Sequence, residues 1–274
     1  MYEFFPWLID MNLFETSFTE QELQPVIEVL KSGKIGFGSN VVQLENKFSK
    51  YSNKKYNIAT NSASASAFMI FHFLKEKYGT CDVYTPSLGF VSPVWAAKHF
   101  GHNICFVDVG TDLLFDSRHY KSLREKSDSQ NKTVLMPVLY GGVSDIPSWK
   151  IYGDEVVVVD SAHNVTSNLD CDFIFFSFHP YKPVCTSDGG IISTSHKKAA
   201  DYFNSYRNFG RLNLDGTYDI VQEGFKFYMN NLNATIGLVS LAKYEKNLSI
   251  RKNNYLYLQD KVNNNSRLID HDID

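Results

Sequence analysis

Short, unbroken apolar runs constrain this chain more than any other feature. Val156-Val-Val-Val-Asp160 and Phe173-Ile-Phe-Phe-Ser177 are each one strand long, and neither alternates with polar residues. A strand that is apolar on both sides must be covered on both faces, the condition of a parallel sheet between two helical layers. Tyr56 to Ala59, Asp82 to Thr85, Ile104 to Asp108, Val134 to Leu139 and Gly190 to Thr194 read as further strands. Those starting at Ile104, Val134 and Val156 are expected to be buried. Helical patterns fall between the strands, so the expected architecture is a three-layer α/β/α sandwich with a mostly parallel sheet.

The helices are announced by their ends. Thr19 with Glu22 fits a capping box, apolar residues then recur at helical spacing to Lys31, and Gly33 is a natural stop. Gly36-Phe-Gly-Ser-Asn40 reads as a loop. Helices are expected over Val41 to Tyr51, Ala65 to Tyr78 and Pro93 to Phe100. Asn233 to about Val262 reads as one long or kinked helix, followed by an Asn-rich polar tail that is expected to fray.

A length of 274 residues allows one large domain or two modest ones. Net charge is −3, which offers no basic footprint for nucleic acid. Cys81, Cys105, Cys171 and Cys185 are scattered without a C-x-x-C pair, arguing against a zinc site or a disulfide framework. The first residues carry acids and a proline where a signal peptide needs a basic end. No apolar run approaches the roughly 20 residues of a membrane span. A cytoplasmic protein is the resulting expectation.

Lys182 follows the apolar strand at Phe173 and precedes a Gly-Gly turn. An amine emerging there from buried structure is partly desolvated, which favours its neutral, nucleophilic form; most lysines at strand ends are solvated surface charges. Asp160 closes the Val156 strand, where open α/β sheets place ligand-binding groups. It is suited either to pair with a protonated ring nitrogen or to cap a following helix. His163 lies one helical turn from Asp160 if a helix starts there, and has a structural reading as well. Asn61-Ser-Ala-Ser-Ala-Ser-Ala67 joins a strand to a helix, so backbone N–H groups and the Ser62 and Ser64 hydroxyls make a phosphate cradle or a tight packing surface. Ser177 adds a hydroxyl near Lys182. Phe90 is placed to cover a planar ring, or to fill core as one of 21 phenylalanines.

In order along the chain, Gly36 to Glu45, Asn61 to Phe68, Pro86 to Pro93, Leu139-Tyr-Gly-Gly142, Val159 to His163, Phe176 to Lys182, Asp188-Gly-Gly190, Gly224 to Met229 and Asn233 to Gly237 resemble the DegT/DnrJ/EryC1/StrS sugar aminotransferases. The resemblance spans residues 33–262. It implies the pyridoxal phosphate (PLP)-dependent transferase fold type I and a homodimer with shared active sites. It also implies transfer of an amino group, usually from glutamate, to a keto group of a nucleotide-linked deoxysugar, in cell-surface polysaccharide or related sugar biosynthesis.

By that resemblance Lys182 is the Schiff-base lysine and proton shuttle, and Asp160 the partner of the pyridine nitrogen. His163 contacts the ring hydroxyl and Phe90 stacks on the ring. Ser62, Ala63, Ser64, Ala65 and Ser177 hold the phosphate. Ala63 stands where the family commonly has Gly. Lys226 and Tyr228 replace an Asn and a basic residue, the Asn usually reaching the neighbouring subunit's cofactor phosphate; Lys226 is expected to do so as a cation. The implied division is residues 1–240 as an N-terminal arm and large PLP-binding domain, and 241–274 as a helix and tail, the remnant of a small C-terminal domain that family members usually carry in full. A PLP-dependent sugar dehydratase is the alternative enzyme, disfavoured because those relatives place His at the Lys182 position. A non-catalytic PLP-binding protein is the alternative from another class.

Overall fold

The computed structural model describes residues 18–140, 149–165, 169–212 and 219–262. Helices α1 (Glu20–Ser32) and α2 (Ser39–Ser52) lead into β1 (Tyr56–Thr60), α3 (Ala63–Tyr78), β2 (Cys81–Pro86), α4 (Val91–His99) and β3 (Asn103–Val107). Then come α5 (Ser117–Glu125), β4 (Lys132–Leu135), β5 (Val156–Asp160), β6 (Phe173–Ser177), β7 (Gly190–Thr194), α6 (Lys197–Tyr206), α7 (Asn231–Ala242) and α8 (Tyr244–Val262). The strands form one sheet in the order β1-β7-β6-β5-β4-β2-β3. Only β7 runs against its neighbours, pairing Ile58 with Ile192 on one side and Phe175 with Ile192 on the other.

Alternation along the strands builds two cores. Val157 and Val159 of β5, with Ile174 and Phe176 of β6, pack with Val41, Leu44 and Phe48 of α2 and Ala234 of α7. Val156, Val158, Phe173 and Phe175 point the other way, into a core with Met69 and Phe71 of α3, Ala96 of α4 and Phe203 of α6. The expected sandwich is therefore present, with a mixed sheet in which parallel pairs dominate.

Several boundaries differ from the sequence reading. The capping box at Thr19 forms, and Gly33 ends α1 at φ 69°. Helix α3 starts at Ala63, two residues early, because Ser62 caps it. Strand β3 is not fully buried: it is one edge of the sheet, with Phe106 exposed, Ile104 and Cys105 half-buried and only Val107 fully buried. Pro137 interrupts the run from Val134 to Leu139, so regular pairing in β4 ends at Leu135 and resumes only as a bridge from Val138 to Asp160. The long C-terminal helix breaks at Lys243, which separates α7 from α8. Helices α5 and α6 were not anticipated; α5 is short and α6 carries no cap side chain.

A buried ion pair locks three elements. Arg207, 1% exposed, donates from Nη1 to Glu45 of α2 and to the Ala59 carbonyl of β1, and from Nη2 to Asn204 of α6. Glu45 also accepts the Ala59 N–H at 2.8 Å. Removing one partner of such a pair leaves a buried charge uncompensated. Glu45→Gln is expected to lower stability by about 3 kcal/mol in urea denaturation. Lys50→Ala, which breaks the exposed pair with Glu245, should change it by less than about 1 kcal/mol.

Candidate active site

The carboxyl ends of β1, β5 and β6 and the amino end of β7 meet on one edge of the sheet, around a cleft of about 220 Å³. Ser62, Ala63, Ser64, Phe90, Asp160, His163, Ser177 and Lys182 all line it, although 120 residues separate the first from the last. Ala65 and Lys226 are not on its wall. The Ala65 N–H is taken by the capping Ser62 Oγ at 3.1 Å. Lys226 is exposed, with its amine over the Tyr228 ring, while its carbonyl accepts from the Asn61 side chain.

Lys182 is placed by a turn. Its N–H donates to the His179 carbonyl at 2.9 Å, with Pro180 at the second turn position, where a fixed φ favours the bend. The side chain folds back inward and is only 7% exposed. Its Nζ lies 3.0 Å from Nε2 and 3.3 Å from Nδ1 of His163, and 4.5 Å from the centre of the Tyr181 ring. Burial lowers the amine pKa below the ordinary lysine value, and the negative charge of Asp160 opposes this. His163 is lowered too, by burial and then by the Lys182 charge, which favours a neutral imidazole.

Asp160 is 3% exposed. Its Oδ1 accepts the Ala162 N–H at 3.0 Å, and that N–H and the Lys182 cation partly offset a burial effect that pushes the carboxyl up to about 6. This corrects the helix-cap reading of Asp160: residues 161–165 form a turn, not a helix, so Asp160 caps no helix there and the helical spacing to His163 does not apply. His163 reaches the cleft through that turn instead.

The α3 end of the cleft is an anion-binding geometry. The first N–H groups of a helix have no intrahelical acceptor. With that of Ala65 capped, those of Ala63 and Ser64 remain at the cleft wall, and the Ser64 hydroxyl donates to Ser92 Oγ at 2.8 Å. Gly190 of β7 presses against this turn so closely that a Cβ there would stand 2.6 Å from Ala63 N and from Ser62 C. The donor set therefore fits PLP: a desolvated amine, a buried carboxylate, an exposed aromatic face at Phe90, and amide and hydroxyl donors for a phosphate.

The chain belongs to the DegT/DnrJ/EryC1/StrS aminotransferase family. The family model matches residues 16–272. Among solved structures, it resembles Helicobacter pylori PseC, an aminotransferase of pseudoaminic acid biosynthesis, at TM-score 0.84 and 20% identity over 93% of this chain and 71% of that one. The putative sugar aminotransferase Spr1654 from Streptococcus pneumoniae, in its PMP form, gives 0.82 and 24% over the same shares. A mutant GDP-4-keto-6-deoxymannose-3-dehydratase with bound GDP-perosamine gives 0.82 and 18%, over 92% and 73%. At these identities the structures establish the shared fold. Among the described residues, no helix is long and apolar enough to cross a membrane.

Four polar residues of the cleft carry no assignment from the sequence. Ser92, Tyr181, His179 and Asp188 line it as well. Tyr181 adjoins Lys182 in sequence, which was a usable signal; Ser92 meets Ser64 only through the packing of α4 on α3.

Two measurements follow. With its folded pKa above the unfolded value, Asp160 contributes stability that is full below about pH 4. That contribution is lost as pH rises through about 6. In the ligand-free chain, Asp160→Asn should therefore abolish a decline of roughly 3 kcal/mol relative to the parent across this window, read from denaturant midpoints. Gly190→Ala should destabilise by about 1–3 kcal/mol, because its Cβ meets backbone that can move only by displacing α3.

Proposed function

We propose that this chain is a PLP-dependent sugar aminotransferase. It would move an amino group from a donor such as glutamate to a keto group of a nucleotide-linked deoxysugar. The observation that carries the reading is the meeting of a desolvated Lys182, a buried Asp160 and the α3 N-terminus on one cleft, in a chain of this family.

Lys182 would anchor the cofactor covalently, its depressed pKa leaving more of the amine in the neutral form that attacks a carbonyl. Asp160 would face the pyridine nitrogen, its charge favoured once that nitrogen is protonated. Ser62, Ala63, Ser64 and Ser177 would bind the phosphate, Phe90 would cover the ring and His163 would contact the ring oxygen. When bound, PLP would supply an electron sink for the bonding electrons released at the substrate carbon. Freed from the cofactor, Lys182 Nζ would accept the proton from the amino donor's α-carbon and return one to the acceptor carbon.

We further infer a homodimer in which Lys226, exposed and outside its own cleft, reaches the phosphate of a second copy. Phe90, Val91 and Trp95 are large apolar side chains left exposed beside the cleft, at 64%, 50% and 59%, which supports cover by a partner. Residues 1–240 would form an N-terminal arm and the large PLP-binding domain, and 241–274 a helix and tail corresponding to part of a small C-terminal domain.

The test is spectroscopic. Chain incubated with PLP should absorb in the visible and give a borohydride-fixed adduct on Lys182, and glutamate should bleach the band. Lys182→Ala should lose both band and adduct; a spectrum unchanged by that substitution overturns the assignment. An adduct with no response to any amino donor would leave a cofactor-binding protein without aminotransferase activity.

A further inference from the structure

The Lys182 amine does not point freely into the cleft. Its Nζ sits between two rings: 4.5 Å from the Tyr181 centroid on one side, and 3.0 and 3.3 Å from the two nitrogens of His163 on the other. The two ring centroids are 6.5 Å apart and inclined by 41°. Nearly equal distances to both imidazole nitrogens mean that no single hydrogen bond fixes the amine.

Both walls are themselves held. Tyr181 stands edge-on to His179 at 4.6 Å, within the same Pro180 turn that sets the Lys182 backbone. His163 lies 5.2 Å from the Tyr140 ring. A cation close to an aromatic face gains from the ring quadrupole, and more so where water is excluded.

We propose that Tyr181 and His163 form a slot that docks the Lys182 amine whenever it is not covalently bonded, which makes Tyr181 a positioning residue of this site. The inference rests on Lys182 being the reactive amine of the reading above. In a two-stage amino transfer the lysine is released in one stage and must re-form its bond in the other. A released lysine with several rotatable bonds would otherwise disperse over many rotamers. The slot keeps Nζ beside the cleft, and the Tyr181 face favours its ammonium form. The other titratable groups around it are Asp160 at the end of β5, His163 in the following turn, Tyr140 packed on His163, His179 in the lysine's own turn, and Asp188 ahead of β7.

The test is competitive acetylation of the chain, cleared of any carbonyl ligand with hydroxylamine. Labelling of Lys182 is followed against pH by peptide mass spectrometry, with exposed Lys47 as the internal reference. Tyr181→Leu should move the midpoint of the Lys182 curve down by about 0.7 on the pH scale, equivalent to about a threefold to fivefold larger neutral fraction below the midpoint. Tyr181→Phe, which keeps the ring, should follow the parent. Improved access alone would raise the labelling rate at every pH without moving the midpoint, and that result overturns the proposal. So does a Phe variant that shifts as Leu does. Tyr181→Met provides a second non-aromatic replacement should the Leu variant fail to fold. Because no cofactor is involved, a chain that never takes up PLP can still show the shift, so this outcome and the aminotransferase reading fail separately.

Discussion

The close contact between Gly190 and the Ser62–Ala63 peptide is the constraint on which the site depends. β7 is the one strand that opposes its neighbours, and its first residue pairs with Thr60 at the end of β1 and with Ser177 at the end of β6. Only a residue without a Cβ lets those strand ends close up beneath the start of α3. The N-terminus of α3, the hydroxyl of Ser177 and the turn bearing Lys182 are thereby brought to one edge. Arg207 and Glu45 reinforce the arrangement from the far side of β1, by bonding to both the N–H and the carbonyl of Ala59.

On that frame, burial sets the chemistry. Asp160 and Lys182 are both nearly excluded from water, and exclusion pushes their pKa values towards each other, the acid up and the amine down. Their mutual attraction opposes the effect without cancelling it. Burial therefore shifts more of the Asp160 carboxyl to its neutral form and more of the Lys182 amine to its neutral form than water would allow. Tyr181 and His163 then decide where the amine rests.

Sequence legibility followed the physics of each segment. β5 and β6 are readable because each is a short apolar run buried on both faces, β7 because Ile191-Ile192 follows a Gly-Gly turn, and α1 because its capping box and Gly33 are local signals. β3 was misread as buried: an apolar run shows that a strand can form, whereas its place at the sheet edge depends on pairing with distant β2. For His163 the sequence offers a helical spacing from Asp160 only on the condition that a helix starts there, and a turn takes its place. Ser92 was missed because its partner Ser64 is 28 residues away on another helix.

The sequence by itself determined the layered α/β architecture, the family and the set of residues from Ser62 to Lys182 to which cofactor chemistry could be assigned. Strand periodicity and ordered motifs are carried along the chain and need no packing to be seen. Only the tertiary structure decided which of these share a cleft, that Ala65 and Lys226 stand off its wall, and that the Lys182 amine lies between two rings. Desolvation and ring contacts arise from atoms far apart in sequence, so they exist only once the chain has folded.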